Sequence, residues 1–137
     1  MKYIIGAILA VTIIILMNFK NSSKEIEEVK EIAKVEKVTV IKKFEGKASY
    51  YHKSLHGNKT ANGETYNHWG LSAAHKKLKF GTKLRVTNKS NGKQVIVVVN
   101  DRGPFVKNRV LDLSGGAAKK LDMYKSGVAQ VIIEIIK

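Results

Sequence analysis

Hydrophobic and polar positions divide the 137-residue chain into three regimes. From Tyr3 to Met17 only Thr12 interrupts an apolar run, and Ile4, Ile5, Ile8, Leu9, Ile13, Ile14, Ile15 and Leu16 cover every face of a helix. A helix packed in a soluble core keeps a polar stripe. The run therefore reads as a targeting segment, residues 1–20: the hydrophobic part of a secretory signal or, counted out to Phe19, the short end of what spans a bilayer. Ile15-Leu16-Met17-Asn18-Phe19-Lys20 offers no small-residue cleavage site, and Asn21-Ser22-Ser23 is a late one. This favours an uncleaved anchor over a removed signal. Lys2 is balanced by Lys20 and Lys24 across the run, so flanking charge does not decide orientation.

Residues 21–45 alternate in charge and contain neither glycine nor proline. Ile26, Val29, Ile32 and Ala33 recur at helical spacing, whereas Val38 and Val40 alternate with Lys37, Thr39 and Lys42 as in a strand. The segment reads as a charged, partly helical stem with too few heptads for a coiled coil.

From Gly46 to Lys137 the pattern turns to short β-rich runs between turns. Strands are predicted at residues 47–51, 83–87, 93–99, 109–113 and 127–136, with Asn91-Gly92, both tolerant of positive φ, as a hairpin turn. Residues 52–67 form a long loop, of the kind that is functional or mobile in a small domain. Short helices are predicted at 73–78 and 115–121, the second capped by Ser114. At least five short strands in so small a domain argue for a mainly β barrel, because an open sheet would leave edges exposed.

Composition narrows the chemistry. The chain has no cysteine, which removes disulfides, thiol nucleophiles and a lipid-modified cysteine. Its formal net charge is +14, yet no basic run is interleaved with stacking aromatics, and an exported chain rarely meets nucleic acid. Polyanions outside the membrane, cell-wall glycan and anionic lipid among them, are the expected partners; plain solubility accounts for part of the excess. His52, His56 and His68 lack zinc-ligand spacing, so neither metal nor cofactor is expected.

From residue 46 onward 17 lysines and arginines face five acids, Glu64, Asp101, Asp112, Asp122 and Glu134. Thr60-Ala61-Asn62-Gly63-Glu64, Ala73-Ala74-His75 and Asn100-Asp101-Arg102-Gly103-Pro104-Phe105 put two carboxylates and a histidine in loops. With "GKASYYHKSLHGNKTANGE", "LSAAHKKLKFGTKLRVTN", "VIVVVNDRGPF", "RVLDLSGGAAKKL" and "GVAQVIIEI" in that order, residues 46–137 resemble the RlpA-like (rare lipoprotein A-like) family of septal-ring lytic transglycosylases. The resemblance implies a six-stranded double-psi β-barrel with short helices, and cleavage of the β-1,4 MurNAc–GlcNAc bond of peptidoglycan with intramolecular formation of 1,6-anhydro ends. Departures from the family pattern are Lys79 for a common proline, Ser72 for a common threonine, and Gly115-Gly116 after Leu113-Ser114. The lipid-acceptor cysteine and the carboxy-terminal peptidoglycan-binding repeat are also missing, which puts septal targeting in question.

Carried over, the family's catalytic positions fall on Asp101, Glu64 and His75, with Asp101 as acid/base. Each residue has a plainer alternative: Asp101 pairing with Arg102 or Arg109, Glu64 capping a turn, His75 starting a helix. Tyr50, Tyr51, Trp69 and Phe105 are candidates for an apolar cleft that stacks on sugar, with core filling a stronger alternative for Phe105 than for Trp69. Asn62 and Arg102 complete the expected substrate-binding set. Asp112 reads as structural, and Asp122 and Glu134 as solvated surface charges. Two other functions share the fold: a non-catalytic, expansin-like polysaccharide-binding module and a structural envelope protein. In any of these the chain is expected to be exported, periplasmic or facing the cell wall, held to the inner membrane by its first segment, with envelope or cell-division proteins as partners.

Overall fold

The structure, a computed structural model, describes Val38–Lys137. The targeting segment and most of the stem lie outside the described residues. Six strands close into a barrel in the order β1-β5-β2-β4-β3-β6: β1 Val40–Tyr50, β2 Ser72–Ala74, β3 Lys83–Asn88, β4 Gln94–Asp101, β5 Leu111–Leu113 and β6 Val128–Ile136. β1 with β5 and β2 with β4 are parallel, and the remaining neighbours are antiparallel. This is the mainly β, six-stranded double-psi architecture that the resemblance implies.

The run Val95 to Val99 shows how the wall is made. Val95, Val97 and Val99 are buried while Ile96 and Val98 are exposed, so five β-branched residues split by the two-residue period of a strand wet on one face. Leu84, Val86, Leu111, Leu113, Val131 and Ile133 join them in the core, and a short helix α1 (Gly115–Lys120) adds Ala117 and Ala118. Ser114 caps that helix, as expected: its Oγ accepts from Ala117 N at 3.3 Å and donates to Gly70 O at 2.6 Å.

Three local expectations need correction. β1 starts at Val40, inside the segment read as stem, because it pairs with β6 from Val40↔Ile136 to Ser49↔Val128. The helix expected at 73–78 is absent. Ser72–Ala74 is a strand clamped between β4 and β5, Ala73 and Ala74 are buried, and the chain then turns with His75 Nδ1 accepting from Lys77 N and Leu78 N, both at 3.1 Å. The Asn91-Gly92 turn exists, but only Gly92 takes a positive φ, 75°. Asn91 instead uses its side chain, donating to Leu121 O and accepting from Lys93 N.

Gly115 and Gly116 have a steric cause. A Cβ on Gly115 would lie 2.2 Å from His68 Nε2, and one on Gly116 would lie 2.4 Å from Trp69 O. The helix start and the His68-Trp69 loop are thus fitted to each other. Gly115→Ala is expected to cost about 1–3 kcal/mol through overpacking. In a His68→Ala background, where the clashing ring is gone, the same change should cost clearly less in denaturant titrations; equal costs would mean that the two sites are not coupled.

Candidate active site

Asp101 is the last residue of β4, and three donors fix its carboxylate. Ala61 N (2.8 Å) and Arg102 N (2.9 Å) donate to Oδ1, and the Tyr51 hydroxyl donates to Oδ2. Among the described residues no ion pair joins Asp101 to Arg102 or Arg109. Burial, followed by the bond to Asp101 and the charges of Asp101 and Asp112, pushes the Tyr51 hydroxyl far above the usual phenol range. Tyr51 therefore keeps its proton and acts as a donor.

The loop bearing Glu64 is docked on this carboxylate by its backbone. Besides the Ala61 bond, Asn62 N donates to Asn100 O at 3.2 Å, and Thr60 N donates to Glu64 O at 2.8 Å. Asn62 Oδ1 accepts from the Thr60 hydroxyl and Glu64 N, and its Nδ2 donates to Glu64 Oε1 at 2.5 Å. Asn62 thus shapes the loop, and the Glu64 carboxylate stands exposed at the rim with Asn62 as its bonded neighbour.

Asp112 belongs to the same locale, which the sequence did not indicate. Ala74 of β2 is opposite Asp101 in β4 and Asp112 in β5, so the two aspartates flank one strand. That geometry separates their backbones by two strand spacings, roughly 10 Å. The Ser49 hydroxyl donates to Asp112 Oδ1, and the Asp112 charge acts on Tyr51. Glu134, expected to be simply solvated, instead pairs bidentately with Arg85 on the outer wall, at 2.9 and 3.1 Å. This bond holds its carboxyl below the usual range.

His75 follows β2, and its backbone N–H donates to Asp101 O at 3.2 Å. Because Nδ1 accepts two backbone N–H groups, the proton of the neutral ring sits on Nε2, which is left free to donate. Arg102 is committed to the neighbouring turn: its guanidinium donates to His75 O and Leu78 O and stacks on Phe80 at 4.0 Å. Phe105 does not fill the core. It is 84% exposed, with its ring 3.7 Å from a Cβ built on Gly103, a position whose other neighbours include Ala74.

The remaining aromatics form a row leading away from Asp101. Tyr51 meets Tyr66 edge-on at 4.8 Å, Tyr66 meets His68 at 5.9 Å, and His68 meets Trp69 at 4.7 Å. His68 is fully buried between the Tyr66 and Tyr124 hydroxyls, at 2.8 and 3.2 Å. Burial pushes the Tyr66 hydroxyl up to about 12. Tyr50 points away from Asp101, stacking on Tyr124 at 4.6 Å and donating to Tyr124 O. Trp69 is 48% exposed. His52 caps the turn Lys53–Leu55, and His56 Nδ1 accepts from His68 N.

Burial, then neighbouring positive charge, holds both His68 and His75 below their ordinary 6.5. The unfolded chain therefore takes up protons first as pH falls. The stability contributed by these neutral rings is complete above 6.5 and declines as pH drops below it, towards the folded-state values. The Glu134 pair is lost only at lower pH, below the ordinary 4.5 of its carboxyl. The melting temperature is expected to fall between pH 7 and 5, less steeply in His68→Gln. A flat wild-type profile over that interval would refute the assignment.

A family model described as "Lytic transglycolase" matches residues 43–133. The chain is 58% identical over 92 residues to the endolytic peptidoglycan transglycosylase RlpA of Campylobacter jejuni, covering 67% of this chain and 34% of that protein. It is 56% identical over 89 residues to the protein of the same name from Pseudomonas aeruginosa, covering 65% and 26%. The match thus spans about a third or less of these relatives. Among solved structures, the Streptomyces papain inhibitor aligns with a TM-score of 0.59 at 21% identity, covering 72% of this chain and 97% of that one. The expansin of Clavibacter michiganensis aligns at 0.56 and 23%, covering 70% and 51%. These two likenesses concern the fold alone. With the barrel, the five ordered motifs and this degree of identity in agreement, the chain belongs to the lytic transglycolase family through an RlpA-like double-psi β-barrel domain.

Proposed function

We propose that this chain is a peptidoglycan lytic transglycosylase that cleaves the β-1,4 bond between MurNAc and GlcNAc and leaves 1,6-anhydro-MurNAc ends. The observation that carries the reading is the Asp101 carboxylate, held by Tyr51 and the Ala61 loop in a barrel 58% identical to a named transglycosylase. In the reaction the C1–O4 bond breaks, a carboxyl group protonates the departing O4, and the C6 hydroxyl of the same muramic unit bonds to C1 while losing its proton to a carboxylate. Since the nucleophile is part of the substrate, it is positioned without recruiting water.

Asp101 is the acid/base of this scheme, and its three donors fix the position of its carboxylate. Asp112, bonded by a single hydroxyl, is the partner across β2, and Glu64 at the rim shares the proton work. His75 Nε2 and the exposed rings of Phe105 and Trp69 contact sugar, while Arg102 and Asn62 act by holding loops. The first segment, residues 1–20, exports the domain and holds it at the inner membrane facing the wall, where envelope or cell-division proteins are its partners.

Mass spectrometry of glycan strands digested by the full-length chain tests the reaction. The expected muramic end is lighter than the hydrolytic product by one water. A reducing end would make the protein a hydrolase, and retained binding without any product would make it an expansin-like module. Glu64→Gln is expected to lower turnover by about 10²-fold, the scale of a lost proton-transfer group; unimpaired turnover would leave Glu64 with turn capping alone.

A further inference from the structure

We propose that Trp69, Lys53 and Lys119 form an anion-selective saccharide subsite that takes a pyranose unit carrying a carboxylate. The inference rests on the glycan reading above and adds a specificity to it. Lys119 Nζ stands over the Trp69 ring at 4.5 Å and over the Tyr124 ring at 5.0 Å, and Lys53 Nζ stands over Trp69 at 5.6 Å. Those distances put two ammonium groups within one screening length of each other, about 10 Å at 0.1 M salt. Neither lysine pairs with a carboxylate among the described residues, whose three ion pairs engage Arg85, Lys89 and Lys93. Both charges add to the burial that holds the adjacent His68 below its ordinary pKa.

The indole is held in place from below. Trp69 N donates to Asn67 Oδ1, Gly116 N donates to His68 O at 2.8 Å, and the Ser114 hydroxyl donates to Gly70 O. The buried His68 ring braces the indole edge-on at 4.7 Å. The close fit of Gly115 and Gly116 against His68 and the Trp69-Gly70 backbone fixes the loop that carries the ring, so less ordering remains to be done on binding. A fixed, half-exposed indole offers an apolar face to the C–H side of a sugar. The two ammonium groups, which rest on ring faces and on no carboxylate of the described residues, must give way to the sugar at the ring and then supply charge for an acidic substituent. A neutral saccharide would satisfy the first feature and leave the second unanswered. The ring row Tyr51-Tyr66-His68-Trp69 joins the subsite to the Asp101 locale, so it would read a sugar removed from the cleaved bond.

Trp69 is the chain's single tryptophan, so its fluorescence reports this subsite directly. The full-length chain is titrated with three probes: peptide-bearing glycan strands, strands stripped of peptide, and strands whose carboxylates are reduced to alcohols. The expected result is a saturable fluorescence change, with an apparent Kd about five- to tenfold lower for acidic than for reduced strands, the scale of two exposed ion pairs. Lys53→Met/Lys119→Met should abolish that preference. Lys89→Met/Lys93→Met, which removes the same charge elsewhere, should retain it. A preference for stripped strands assigns the lactyl carboxylate, and one confined to peptide-bearing strands assigns the stem peptide; both support the subsite. Equal response to acidic and reduced strands, or a preference that survives the Lys53/Lys119 change, overturns it. Because the readout is binding, absence of a 1,6-anhydro product would defeat the proposed reaction without touching this result.

Discussion

Asp101→Asn is expected to reduce glycan cleavage by at least 10²-fold, within the range for loss of a general acid/base, while pelleting with insoluble glycan stays near wild type. The asparagine keeps the shape and the fold-holding contacts. Its carbonyl still accepts from Ala61 N and Arg102 N, and its amide can donate to the Tyr51 oxygen where the carboxylate formerly accepted. What disappears is the ability to take or give a proton. Residual activity above a tenth of wild type would remove Asp101 from that role. A matching loss of melting temperature would make its contribution structural.

Asp112→Asn should behave similarly, against the structural role that its setting between Leu111 and Leu113 first indicates. The Ser49 hydroxyl can donate to an asparagine carbonyl as it does to Asp112 Oδ1, so stability is expected to stay within about 0.5 kcal/mol, as for an ordinary substitution away from the core. Turnover is expected to fall about 10²-fold. The discriminating measurement pairs an unfolding curve with a rate for the same preparation. A destabilised protein that keeps its turnover would return Asp112 to the strand, and a stable, inactive one would establish the pair across β2.

Legibility in the sequence followed the physics of each element. The β4 wall could be read because Val95 to Val99 is a long β-branched run whose ends are marked by turns. β2 could not, because Ser72-Ala73-Ala74 has no strand preference of its own and is extended only by the neighbours that bury it. The start of β1 was hidden by Lys42, Lys43 and Glu45, charged residues on a wall whose outer face is wet. Asp101 stood out through its motif. Asp112 did not, because alternation between two leucines says which residues are inward and nothing about what lies across the next strand. Phe105 read as a cleft candidate with core filling as its alternative, and its chemistry alone did not decide between them; its exposure comes from the turn after Gly103-Pro104, which no hydrophobic pattern encodes.

The pairing of β1 with β6 governs when this domain can exist. Val40–Ser49 finds its antiparallel partner in the strand made last, and β3 leans on that same strand. Contacts so distant in sequence form slowly, and a growing chain cannot close the barrel until Val128–Ile136 has left the ribosome. A nascent chain delivered to an export machinery by its first residues would therefore still be threadable on arrival. On the proposed export route, the same wiring leaves closure of the barrel around the site to the far side of the membrane, so a wall-cutting activity would be withheld from the compartment in which it is made.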